Sequence, residues 1–171
     1  MRETKDRVVV RAFLSWAGAN KRIKEIKEDL LRELEPHLKN MGGFDIRWWE
    51  MTNLVPGEEW QPEILRRIDE CDLGIHLVSP EFLASDFIRA HELAPFFGPD
   101  ATKPTFPIGL KPVDLDPSRV LLYGVDLRQV FLLDGRLFYS TLDRRRKAQF
   151  ALEAARALHH KLARMDPWGR P

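Results

Sequence analysis

Runs of apolar residues and apolar residues at helical spacing alternate along the first half of this chain. Val8 to Leu14 is β-branched and apolar and predicts a strand that stops at the turn-prone stretch Ser15 to Asn20. From Lys21 to Asn40, Ile23, Ile26, Leu30, Leu34 and Leu38 recur every three or four positions with Lys, Arg and Glu between them, which predicts an amphipathic helix ended by Met41-Gly42-Gly43. Phe44 to Trp49 predicts a second strand, Glu50 to Gly57 a loop, and Glu58 to Glu70 a helix with Trp60, Ile64, Leu65 and Ile68 on one side. Leu73 to Val78 predicts a third strand, and Ser79-Pro80 after it is a helix start, with Ser as N-cap and Pro at the first helical position. Ser85-Asp86 repeats the capping chemistry, so the helix is expected to restart or kink there and run from about Asp86 to Ala94 before Pro95. Pro104 to Leu110 and Val130 to Leu133 predict a fourth and a fifth strand. Thr141 to Met165 predicts a closing helix with Ala148, Ala151, Leu152, Ala155, Leu158 and Leu162 inward, and Asp166 to Pro171 a tail or linker.

Repeated strand-helix units with right-handed crossovers predict a flavodoxin-like α/β fold, a five-stranded parallel sheet with helices on both faces. The 171 residues are expected to form one domain over 1–165, with 166–171 either a tail or a linker to a further domain. Charge narrows the choice of partners. With 27 basic against 26 acidic residues the formal charge is +1, which removes the electrostatic case for direct nucleic-acid or membrane-surface binding. The single cysteine, Cys71, forbids an internal disulfide and fits a reducing compartment, and no apolar run approaches the roughly 18 residues of a membrane span. A cytoplasmic location is the expectation.

In open α/β sheets ligands bind in the crevice at the carboxyl ends of the strands. Here that crevice collects Ser15 to Asn20, Glu50 to Gly57 and the helix that carries Glu92, with Phe87, Ile88 and His91 at helical spacings from it. Other constellations fail. His91-Glu92-Leu93-Ala94-Pro95 lacks the second His of a zinc-protease helix, and no metal site is expected. Gly18, Gly42-Gly43 and Gly57 form neither a P-loop nor a dinucleotide fingerprint, so no cofactor is expected. Strand three ends in Val78-Ser79 where a phosphoacceptor Asp would be needed. Arg144 to Lys147 and His159-His160 read as solvated helix face, and Cys71 as a buried small hydrophobe.

Three segments carry a resemblance. RAFLSWAGAN resembles the first box of the Toll/interleukin receptor (TIR) domain, with Trp16 in place of the usual Tyr. EMTNLVPGEEW resembles its second box, with Pro56-Gly57, and VSPEFLASDFIRAHEL resembles its third-strand and helix segment. The resemblance covers about Arg7 to Pro95. It implies a TIR fold and, as in many bacterial members, cleavage of the bond between nicotinamide and ribose in NAD⁺, with Glu92 as the catalytic carboxylate. NAD⁺ is then substrate rather than cofactor. Nicotinamide leaves as a neutral base from a cationic ring, so no general acid is needed. A carboxylate beside the ribose can stabilise the oxocarbenium character, as in glycoside cleavage. Hydrolysis would give ADP-ribose, and attack by the adenine ring a cyclic product.

By the same resemblance Ser15, Trp16, Glu50, Trp60, Phe87 and Ile88 are expected to contact substrate, and Pro56 and Gly57 to serve self-association. Other TIR copies, and a sensor domain or subunit, are the implied partners, with bacterial antiphage defence as the implied setting. Many active members carry a Trp four residues before the catalytic Glu. Ile88 stands there in this chain, so the ring platform would fall to Phe87 if that side chain turns toward the cleft. Two alternatives stay open: a TIR interaction module without catalysis, and a nucleoside deoxyribosyltransferase-like enzyme that also uses a Glu.

Overall fold

The computed structural model describes residues 7–18, 20–50, 60–126 and 129–165. Strands β1 (Val8–Ser15), β2 (Phe44–Glu50), β3 (Leu73–Val78) and β4 (Thr105–Gly109) form a parallel sheet in the order β2-β1-β3-β4. Helices α1 (Lys21–Lys39) and α5 (Arg144–Arg164) pack on one face over Val10, Ala12, Leu14, Ile75 and Ile108. Helix α2 (Trp60–Glu70) and the short pieces α3 (Pro80–Ala84) and α4 (Leu93–Phe96) cover Phe13 and Val78 on the other. All six residues of β3 are buried, as expected of a parallel strand covered on both faces. No helix among the described residues is long and apolar enough to cross a membrane.

The described sheet has four strands, not the expected five. Phe131 does reach the outer edge of β4, donating its N–H to the Pro107 carbonyl (2.7 Å) and accepting from the Gly109 N–H (2.9 Å). That single bridge cannot grow into a ladder. Asp134 (φ 54°) and Gly135 (φ 70°) reverse the chain, and Leu133 pairs back onto Leu137 instead. The closing helix begins at Arg144 rather than Thr141, because the Asp143 carboxylate caps it by accepting the Arg146 N–H (2.9 Å). Its inward stripe is also turned from the expected one: Phe150, Ala151, Ala154, Ala155, Leu158 and Leu162 are buried, whereas Ala148 and Leu152 are exposed. Phe150 sets that register by packing edge-on against Phe131 and Tyr139. On α2 only Ile64 and Ile68 are buried, while Trp60 and Leu65 are exposed.

The largest departure lies between α3 and α4. Ile88–Glu92 is a π-turn, and the helix continues through Pro95 to Phe96 instead of stopping before it. The wide turn closes with the Leu93 N–H on the Ile88 carbonyl, five residues back. That opening ahead of Pro95 accommodates the ring and the missing N–H. The Pro95 carbonyl is then capped by the N–H groups of Thr102 (3.0 Å) and Lys103 (2.9 Å). The expected restart is present, since the Ser85 hydroxyl accepts the Ile88 N–H (3.3 Å).

Candidate active site

Parallel register brings the carboxyl ends of β1, β2 and β3 to one rim, which is where Ser15, Glu50 and Ser79 stand. Ser79 caps α3 by accepting the Phe82 N–H (3.0 Å), so the chain rises from β3 directly into the helical segment that bears Glu92. In an α-helix two residues five apart lie about 140° apart around the axis. Closure over five residues brings Phe87 and Glu92 closer to one side, and both line the same cavity.

That cavity has a volume of about 590 Å³. Its walls include Trp16, Trp60, Phe87 and Ile88, with Glu81 and Glu92 as the acidic members among the described residues. Glu92 is only 4% exposed and accepts a hydrogen bond from the Ser15 hydroxyl. Burial pushes its carboxyl up to about 7, against the opposing pull of the Ser15 hydrogen bond. Glu81 behaves oppositely. Burial alone would raise it, but the Lys111 ammonium (2.5 Å), with help from its own backbone N–H, holds it below the usual carboxylate range. One pocket thus contains an ionised carboxylate and another poised near neutrality.

The remaining expected residues divide by position. Trp60 sits edge-on to Phe87 at 4.9 Å between ring centres, and Phe87 is followed by His91 at 4.9 Å, so Phe87 does turn toward the cleft. Ile88 lines the cavity while 97% covered. Ser15 donates its hydroxyl to Glu92 and does not itself line the cavity. Glu50 stands behind the wall as well: it accepts from the Trp16 indole N–H (2.9 Å) and pairs with Lys27 (3.1 Å). The Lys27 ammonium lies 4.3 Å from the Trp16 ring centre, completing a three-membered support that fixes the indole. Gly18, which also lines the cavity, packs closely on the ring, since a Cβ there would lie 3.2 Å from the indole. Pro56 and Gly57 lie outside the described residues, as does the 166–171 tail.

Sequence reasoning passed over Lys27 and Glu81. Lys27 had a readable signal, because it sits four residues after Ile23 and three before Leu30, inside the apolar stripe of α1, and it is 4% exposed. Glu81 had none beyond being a first-turn acid, as its partner Lys111 is thirty residues away. Among the described residues no group of His, Cys, Asp and Glu side chains is arranged to hold a metal ion.

The TIR-domain family model matches residues 13–138, from within β1 to the approach of α5. The chain belongs to the TIR domain family. No curated protein matches it. The matched span of this TIR domain contains the entire cavity wall and leaves out α5, whose place is in the core on the far face of the sheet.

Proposed function

We propose that this TIR domain is an NAD⁺ nucleosidase in which Glu92 is the catalytic carboxylate. The observation that carries this reading is the placement of Glu92: buried, held by Ser15, with its acidity near neutral, and on the wall of a cavity that also presents Trp16, Trp60 and Phe87. The volume falls within the range of small-molecule sites, about 300–1,000 Å³. Aromatic walls suit planar rings, and a cationic pyridinium is attracted both to their faces and to a carboxylate. A bound cation also favours the ionised form of Glu92, so substrate itself would complete the active charge state.

In the proposed reaction the glycosidic C–N bond breaks with its electron pair going to the nicotinamide nitrogen, which leaves neutral. Positive charge on the ribose is stabilised by the Glu92 carboxylate in a setting with little competing water. Water then adds to the ribose carbon and gives up its proton to Glu92, yielding ADP-ribose; addition of an adenine nitrogen instead yields the cyclic product. Trp16, Trp60, Phe87 and Ile88 are assigned to the substrate rings, and Ser15 and Glu50 to holding Glu92 and Trp16. Self-association through the segment containing Pro56 and Gly57 is proposed to raise activity, in the cytoplasm of a bacterium and in antiphage defence, as the family resemblance implies.

The test is nicotinamide release from NAD⁺ by concentrated or artificially clustered protein, beside Glu92→Ala and Glu92→Gln. Release by wild type and a fall of about a thousandfold or more in both variants, with folding retained, is the expected outcome. Clustered wild type that releases no nicotinamide would return the chain to the class of interaction modules.

A further inference from the structure

A second cavity, of about 520 Å³, opens at the opposite end of the sheet, where β4 begins. The last turns of α5 wall it with His160, Lys161 and Arg164, and among the described residues no acidic side chain lines it. Among the described residues none of these three cations has an acidic partner. That contrasts with Arg144 and Lys147 on the same helix, which both pair with Asp29. Lys161 is half-buried, and burial without a counter-charge holds its ammonium below the usual lysine range. Basic residues do suit a helix C-terminus. That preference accounts for their presence in the last turn, but not for their gathering around a hollow whose described lining carries no acid.

Backbone direction adds a donor. Residues of β4 alternate in the side to which they present N–H and C=O. Pro104 points its carbonyl to Gly74 on β3, while Pro107 and Gly109 face outward to Phe131, so Thr105 also faces outward, on the edge that the cavity borders. Gln129 supplies a side-chain amide, and Pro104, Phe106 and Met165 supply apolar wall.

We propose that this cavity binds a phosphate monoester of a small organic molecule, with the phosphate on Lys161 and Arg164 and the organic part on Phe106 and Met165. The partial negative charge of the helix end, roughly half an elementary charge, is outweighed by two full cations. Arg presents a planar fork to phosphate oxygens and Lys a point charge. The site lies across the sheet from Glu92, so its ligand would not compete with one in the groove, and the proposal stands whether or not the domain cleaves NAD⁺.

The test is titration with phenyl phosphate and with inorganic phosphate at constant ionic strength, following backbone amide shifts by NMR. The expected result is saturable movement of Thr105, Gln129 and Lys161, tighter for phenyl phosphate. Binding should weaken about tenfold or more in the double variant Lys161→Met/Arg164→Gln. The exposed single variant Arg164→Gln serves if the double variant does not fold. Shifts confined to Ser85 and Phe87 in the groove, shifts that never saturate, or equal affinity in the variants would overturn the proposal.

Discussion

Ser15 and Glu92 are 77 residues apart in sequence and touch through one hydrogen bond. Its direction has a measurable consequence. Ser15 donates to the carboxylate, which favours the charged form and offsets part of the burial that raises Glu92 to about 7. Ser15→Ala removes the donor and leaves the burial, so the carboxyl moves further up. If Glu92 must be ionised to work, the acid limb of the kcat/KM profile for nicotinamide release shifts to higher pH in Ser15→Ala, while activity at pH 9 stays closer to wild type. A limb that does not move would detach Ser15 from the titration. At this scale the placement was partly readable: motif and strand-end position brought Trp16 and Glu92 to one crevice, and both line one cavity. That Ser15 and Glu50 stand behind other residues could not, because support from behind depends on side-chain direction across strands that only the register decides.

Among the elements, β3 and its two helical followers show where local signals suffice and where they stop. The bounds of β3, its Ser79 cap and the restart at Ser85 were legible because each rests on adjacent residues. The π-turn was not, since a wide turn costs little locally and is stabilised by what it packs on. The fifth strand failed for a related reason: four apolar residues looked like a strand, but the reversal at Asp134-Gly135 allows one bridge only. Close packing between β3 and α4 makes a sharper prediction. A Cβ at Gly74 would approach His76 Cε1 at 2.4 Å and Phe96 Cε1 at 2.6 Å, both rings being buried and interlocked. Gly74→Ala is therefore expected to destabilise the domain by about 1–3 kcal/mol, read as a lower midpoint in urea denaturation. An unchanged midpoint would mean that α4 moves away from the sheet at no cost.

For the molecule as a unit, two buried groups on one face of the sheet pull stability in opposite directions with pH. His76 is fully buried among Phe82, Phe96 and Phe97, with Nδ1 2.6 Å from the Thr105 hydroxyl and Nε2 without a partner among the described residues, and burial lowers its pKa to about 3. The unfolded chain takes up that proton near 6.5 and the folded one does not, so stability is lost as pH falls from about 6.5 toward 3. Glu92 has the reverse sign. Its folded value of about 7 exceeds the ordinary 4.5, so the folded state holds a proton that the unfolded state has released, and stability is lost as pH rises through that window. The two slopes oppose each other between about 4.5 and 6.5, which places the stability maximum in that band. Cys71, raised to about 11 by burial, acts only in more alkaline solution. Glu92→Gln removes the alkaline descent and leaves the acid one, so the variant should exceed wild type in stability by up to about 3 kcal/mol at pH 8 and match it more closely at pH 5. Urea midpoints across pH 4 to 9 for the two proteins measure this directly. A difference that does not grow with pH would show that the Glu92 carboxyl is charged without penalty, and would remove the desolvated carboxylate on which the proposed chemistry relies.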